Sequence, residues 1–292
     1  MDHRSCLFFN AVVACVSLVV AAGCASKPKV NEGNPSFRLT VEQAEADLDR
    51  IAKDPRPLQR PLVILGGFAD PGVGGWATAA ELRKYLTPAA QVMSVSFTFC
   101  HTFDACRLHV IGAVDKAFPT ADPNQTAEVD VIGLSMGGLV GRYCAAPTTA
   151  PASVSATAPS SQRRLRVHTL FTAASPHRGA LRAERWPQLL KMQGDMTAGS
   201  PFYRRLEEAE RAGGGTSYEL VPYVRLGDTV VGPQYAAPTG RNPWWIPNRP
   251  GDFAHVGTMG DPRIMSDVLR RLRGETPWTK EPPAPLPEKI EP

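Results

Sequence analysis

"VDVIGLSMGGLVGRYC", from Val129 to Cys144, is the stretch on which the reading of this chain turns. Strand-forming residues, Val129, Val131 and Ile132, run into Ser135, and beyond it Leu139, Val140 and Tyr143 fall at helical spacing. Gly133 and Gly137 stand two residues either side of the serine. A strand that becomes a helix within about two residues leaves no room for Cβ atoms around the corner. Glycine removes that clash and accepts unusual backbone angles. A glycine-rich turn with an incidental serine is the plain alternative. The strand before it and the helix after it favour a serine presented on a sharp corner as a nucleophile.

Outward from this corner the chain alternates short apolar runs with amphipathic segments. "PLVILGGF" (61–68), "QVMSVSF" (91–97), "EVDVIGL" (128–134), "LRVHTLFTAAS" (165–175) and "ELVPYVRLGD" (219–228) read as strands. Pro222 is expected at the start of the last of these, because proline gives no ladder donor. Residues 40–53, "ATAAELRKYL" (77–86), "RLHVIGAVDKAF" (107–118), the segment after Ser135 and "PRIMSDVLRRLRG" (262–274) read as helices. Thr40 and Gln43 have the spacing of a capping box. Such alternation means βαβ units and a mostly parallel sheet flanked by helices, with sites at the carboxyl ends of the strands.

A serine hydroxyl needs a base within hydrogen-bond reach, and the base needs a third group to orient it. His101, His177 and His255 all follow strands; His109 lies on a helix and His168 inside a strand. Asp195, Asp228, Asp252 and Asp261 are the carboxylates to weigh, and the last two flank His255 as loop residues.

At this point the sequence resembles the α/β-hydrolase superfamily, and within it the bacterial lipase and esterase branch, over Pro61 to Leu272. The resemblance implies an α/β-hydrolase fold with a reduced N-terminal sheet edge. Its chain order, serine, then acid, then histidine, is met by Ser135, Asp228 in "LGDTVVGP" and His255 in "FAHVGTMGDPRI". "SPHRGA" (175–180) and "GDMTAGSPFYRRL" (194–206) resemble two further segments of the lipase branch, which makes His177 a pocket or structural residue and Asp195 something other than the triad acid. The resemblance also implies an oxyanion hole from the backbone of Met136 and of Phe68, with Ala69 as the rival for the second donor. Most relatives carry His-Gly before that donor; this chain has Gly66-Gly67.

The first residues form a separate unit. His3 and Arg4 precede an apolar run from Leu7 to Ala22, about 16 residues and short for a bilayer span. Ala21-Ala22-Gly23-Cys24 resembles a bacterial lipobox, which implies cleavage before Cys24 and lipid on its sulfur. The expected organisation is a signal peptide (1–23), a polar tether (24–36), a hydrolase domain (37–275) with a candidate cap insertion (180–215), and a proline-rich tail (276–292) expected to be extended. "AAPTTAPASVSATAPSSQ" (145–162) is low in complexity and is expected to be a mobile surface loop. Export would let Cys100 and Cys106 close "CHTFDAC" as a disulfide, with Cys144 a buried thiol. "NPWWIP" (242–247) would wall an acyl pocket, touch a membrane, or pack locally.

The formal net charge of +4 and the scattered Lys and Arg give no nucleic-acid footprint. No Cys/His spacing has the form of a zinc site. The expectation is therefore a lipid-anchored serine lipase or esterase of the cell or outer membrane. It would act on an ester or lipid substrate by an acyl-enzyme route that needs no metal or organic cofactor. A thioesterase, an amidase or a transacylase would carry the same triad. The alternative from another class is an envelope lipoprotein that uses the fold only for binding.

Overall fold

The computed structural model describes residues 36–87, 91–147, 163–183, 191–248, 251, 253–279 and 282–288. Residues 1–35, with the expected signal peptide, Cys24 and nearly all of the tether, lie outside the described residues, as do 148–162 of the low-complexity stretch and 184–190 of the candidate cap. The strands are β1 (Leu62–Leu65), β2 (Val92–Val95), β3 (Val129–Leu134), β4 (Val167–Ala173), β5 (Glu219–Arg225) and β6 (Trp244–Ile246). They form one sheet in the order β2-β1-β3-β4-β5-β6, and every pairing is parallel. The helices are α1 (Val41–Lys53), α2 (Val73–Leu82), α3 (Phe103–Ala117), α4 (Met136–Ala145), α5 (Lys191–Asp195), α6 (Pro201–Ala212), α7 (Ala254–Gly257) and α8 (Pro262–Leu272).

Alternation along the strands builds a core on each face of the sheet. Val63, Leu65 and Val131 pack with α3, α4 and α6, while Leu62, Ile64 and Ile132 pack with α1, α2 and α8. Strands covered on both sides must be apolar throughout, and β1 is buried at all four positions. This is the α/β-hydrolase fold, with β2 as the outermost strand on its side among the described residues. The capping box of α1 is formed: Thr40 Oγ1 accepts from Gln43 N, and Gln43 Oε1 accepts from Thr40 N. Two helices start earlier than periodicity predicts because their caps lie upstream. Asp70 accepts from the amides of Gly72 and Gly74 before α2, and Thr102 Oγ1 accepts from Ala105 N at the head of α3.

Two expectations change, one open alternative is decided, and the tail is placed. Pro222 sits inside β5 rather than at its start. Leu220 and Leu226, of the same parity, turn their backbone toward the β6 side, and β6 pairing begins only at Tyr223 opposite Trp244. The missing N–H of Pro222 therefore faces a place where no strand partner stands. "NPWWIP" supplies β6 itself, with both tryptophans buried; Trp244 packs edge-on against Phe37, which settles this stretch as local packing. The tail is docked: Thr279 is buried, its N–H and that of Trp278 reach Asp267, and Trp245 Nε1 donates to the carbonyls of Ala284 and Pro285. Finally, Cys100 and Cys106 are free thiols, so the expected disulfide is not formed. Cys106 lies in the first turn of α3 and turns its Sγ into the core toward Met192 Sδ, at 3.7 Å. Burial, and after it the neighbouring Cys100 thiol, raises the pKa of Cys106, and burial raises that of Cys144 to about 12.

Candidate active site

Ser135 follows the last residue of β3 and adopts φ +52°, ψ −123°. A non-glycine residue there is strained by about 1–3 kcal/mol, and the surrounding backbone holds it: Ser135 N donates to Ala173 O at 2.8 Å, and Gly138 N to Ser135 O at 3.1 Å. The flanking glycines explain the motif. A Cβ on Gly133 would lie 2.2 Å from Gly138 Cα, and one on Gly137 would lie 2.2 Å from Leu65 O. The serine can turn this corner only because α4 starts pressed against the ends of β3 and β1. Gly138 is a third such position, where a Cβ would strike Ser175 Oγ at 2.2 Å.

His255 is delivered by α7. Its Nε2 lies 2.9 Å from Ser135 Oγ, and its Nδ1 lies 2.9 Å from Asp228 Oδ2. A carboxylate only accepts, so Nδ1 carries the hydrogen and Nε2 is left to accept from the serine hydroxyl. Asp228 is buried in the turn after β5. Its other oxygen accepts from the amides of Val230 and Val231, at 2.8 and 3.0 Å, so the carboxylate is fixed and presents one free face to the imidazole. The structure thus brings together the three residues that the chain order singled out. It can pass a proton from serine to imidazole and hold the imidazolium against a buried carboxylate.

The rival histidines are elsewhere. His177 is fully buried, with Nε2 2.9 Å from Thr172 Oγ1 and Nδ1 3.5 Å from the Arg142 guanidinium. Burial first, then the nearby arginine charges, lower its pKa well below the ordinary value. Arg142 is in turn paired with Glu210, fastening α6 onto α4. Phe202 of α6 stacks on Phe103, with centroids 4.1 Å apart, so this part of the candidate cap is bolted to the domain. His101 and His109 are exposed. His168 faces Asp130 near the amino end of the sheet. Asp195 closes α5, and Asp252 lies outside the described residues.

Met136 is the first residue of α4, where a helix N–H has no partner within the helix. Phe68 lies in the loop after β1, next to Gly67, whose Cβ position is 3.5 Å from Ser135 Cβ. The two residues proposed as oxyanion donors therefore stand beside the serine, one at the head of α4 and one in the loop after β1. They do so between β1 and β3, where the strand order reverses, the usual site position in such sheets. The non-glycine residues with positive φ among the described residues, Ala69, Ser135 and Ala174, all sit at the carboxyl ends of β1, β3 and β4.

Two supports were not singled out as such from the sequence. Asp70 organises the loop holding Phe68: its carboxylate takes the Gly72 and Gly74 amides, and its carbonyl accepts from Ser96 and Thr98. Arg225, at the end of β5, reaches Gly257 O at 3.3 Å and Asp261 Oδ2 at 3.1 Å. Asp261 is also held by Arg263 and caps α8. Burial raises its pKa, but the bonds and charges of Arg263 and Arg225 outweigh this and hold it below the ordinary carboxylate value. Asp261 is thus no solvated loop residue; it pins the histidine segment to the strand that delivers Asp228.

No protein-family model and no curated protein matches the chain. Solved structures similar to it include phospholipase PlaB from Legionella pneumophila, at 13% identity and a TM-score of 0.38, covering 61% of this chain and 44% of that one. The chain thus spans less than half the length of that phospholipase. The mature lipase BlEst2 from Bacillus licheniformis is 10% identical with a TM-score of 0.43, over 78% of this chain and 95% of that one. The esterase Est2 from Thermogutta terrifontis is 10% identical with a TM-score of 0.35, over 84% and 82%.

Proposed function

We propose that this protein is a serine hydrolase of carboxylic esters, a lipase or esterase held on the cell envelope through lipid on Cys24. The observation that carries the chemistry is the unbroken relay Ser135 Oγ, His255 Nε2, His255 Nδ1, Asp228 Oδ2, with both hydrogen bonds at 2.9 Å and the serine on a strained corner. Ser135 Oγ attacks the ester carbonyl as His255 takes its proton. The oxyanion forms against the amides of Met136 and Phe68, each such donor being worth about 3–4 kcal/mol. His255 returns the proton to the leaving alcohol. Water, activated by the same imidazole, then releases the acid from Ser135.

A panel of chromogenic esters from short to long acyl chain, run on the wild type and on Ser135→Ala, tests this reading. Turnover of part of the panel by the wild type alone is the expected result. A wild type silent on every ester, or a Ser135→Ala protein that keeps its rate, contradicts it. Recovery of unmodified Cys24 by mass spectrometry contradicts the anchor separately.

A further inference from the structure

Arg178 projects from a turn that two helices hold. After β4, the Pro176 carbonyl accepts from Tyr203 Oη of α6 at 2.6 Å, and the His177 carbonyl accepts from the Arg142 guanidinium of α4 at 3.2 Å. From the next residue the Arg178 guanidinium crosses to the segment after β5 and donates to the Gln234 carbonyl. Gln234 lies in the short 3₁₀ turn Pro233–Tyr235, just beyond Asp228.

The residues that follow Arg178 fasten to the same stretch through their backbone. Leu181 N donates to Val231 O at 3.1 Å, and Arg182 N to Val230 O at 3.0 Å. Val230 and Val231 are the residues whose own amides hold Asp228 Oδ1. Each therefore faces two ways, its N–H on the carboxylate and its C=O on the chain leaving β4. The approach is close enough to need glycine: Gly232 has φ +90°, and a Cβ on it would lie 2.8 Å from Leu181 Cδ1. The donor side is fixed in turn. Ala180 N donates to Met196 O at 3.0 Å, and a Cβ on Gly179 would lie 2.7 Å from Ala198 Cα. Two hydrogen bonds to Oδ1 set the direction of the other oxygen, Oδ2, which meets His255 Nδ1 at 2.9 Å. A carboxylate held in this way points only as accurately as the turn that carries its donors, and a misplacement of about 1 Å at a reacting centre costs up to about 10²-fold in rate.

We propose that Arg178 is a positioning residue: together with the amides of Leu181 and Arg182 it holds residues 230–234 in place and so aims Asp228 at His255. This role rests on the triad reading above. Arg178→Met, Arg178→Lys and Gly232→Ala, each checked for folding by circular dichroism, are compared with the parent by two measurements. One is steady-state kinetics on a soluble ester; the other is the low-field proton resonance of the His255 Nδ1–H, identified by its loss in His255→Ala. Arg178→Met is expected to lower kcat roughly 10- to 100-fold with KM nearly unchanged, and to shift the resonance upfield or abolish it. Arg178→Lys keeps a donor for the Gln234 carbonyl and recovers most of both. Gly232→Ala, which drives the turn away from Leu181 while leaving Arg178 in place, behaves like Arg178→Met and decides the matter if that variant does not fold. A folded Arg178→Met with parental kcat and resonance overturns the role and leaves the triad reading standing. So does a lowered kcat with a parental resonance, because Asp228 is then undisturbed. A parent that hydrolyses no ester, but whose resonance shifts in Arg178→Met, keeps the role and refutes the hydrolase reading. A parent without the resonance overturns both.

Discussion

At the scale of a single residue, the proposed mechanism assigns catalysis to His255 and packing to His177. Only His255 touches both Ser135 and Asp228, so His255→Ala is expected to lower kcat by roughly 10⁴-fold or more. His177→Gln, whose ring meets Thr172 and Arg142 instead, should keep kcat within about tenfold of the parent. Steady-state rates on one soluble ester decide between them, and a dead His177→Gln beside an active His255→Ala reverses the assignment. Asp70 makes a second residue-level prediction. Asp70→Ala frees the Gly72 and Gly74 amides and loosens the loop of Phe68, and small displacements at a reacting centre cost up to about 10²-fold in kcat. Asp70→Asn keeps an acceptor oxygen and should restore most of the rate; if both variants have parental kcat, the loop is positioned by something else. The grouping of Ser135, Asp228 and His255 was legible in the sequence because chain order and glycine spacing constrain it. Asp70 was not, since its carboxylate takes backbone amides and its own carbonyl takes the Ser96 and Thr98 hydroxyls, which no residue pattern announces.

Between elements, the proposed triad depends on α7 staying in register with β5. Arg225 provides that tie through Gly257 O and Asp261. Arg225→Met is expected to reduce kcat about 10- to 100-fold with little change in KM, because it shifts the base relative to the serine without touching substrate. Arg225→Lys, which preserves the charge but not the fork, should fall between. A rise in KM at constant kcat would instead place Arg225 among substrate contacts. From sequence, Arg225 was one more charged residue at a strand end and Asp261 a loop carboxylate beside His255. Their roles depend on a contact 36 residues apart in the chain. β1, β3, β4 and β5 were legible because burial on both faces makes them largely apolar. β6 was missed because it has three residues, framed by prolines that read as loop.

At the level of the whole molecule, His177 ties stability to pH. Its folded pKa lies well below the ordinary value, and an unfolded histidine titrates near 6.5. Below about 6.5 the unfolded chain takes up a proton that the folded chain refuses, so stability is full above this value and falls as the pH drops beneath it. The urea midpoint should therefore be lower at pH 5 than at pH 7.5, and His177→Gln should flatten the difference; a wild-type midpoint constant over this range contradicts it. Asp261 and Asp47, both held below the ordinary carboxylate value, contribute in the other window. Burial raises the Asp47 pKa, but bonds from Arg270, Ser266 and Arg50 outweigh it. Their stabilisation persists to about pH 4 and is lost as the pH falls further. The proline-rich tail, expected to be extended, is docked on the domain through Asp267, a pairing that composition does not encode.

The most direct test of the central claim is covalent labelling of the purified protein with a fluorophosphonate, followed by peptide mass spectrometry. The account predicts one adduct per chain, on Ser135, lost in Ser135→Ala and in His255→Ala. An adduct on another residue, or labelling that survives Ser135→Ala, would show that the nucleophile lies elsewhere.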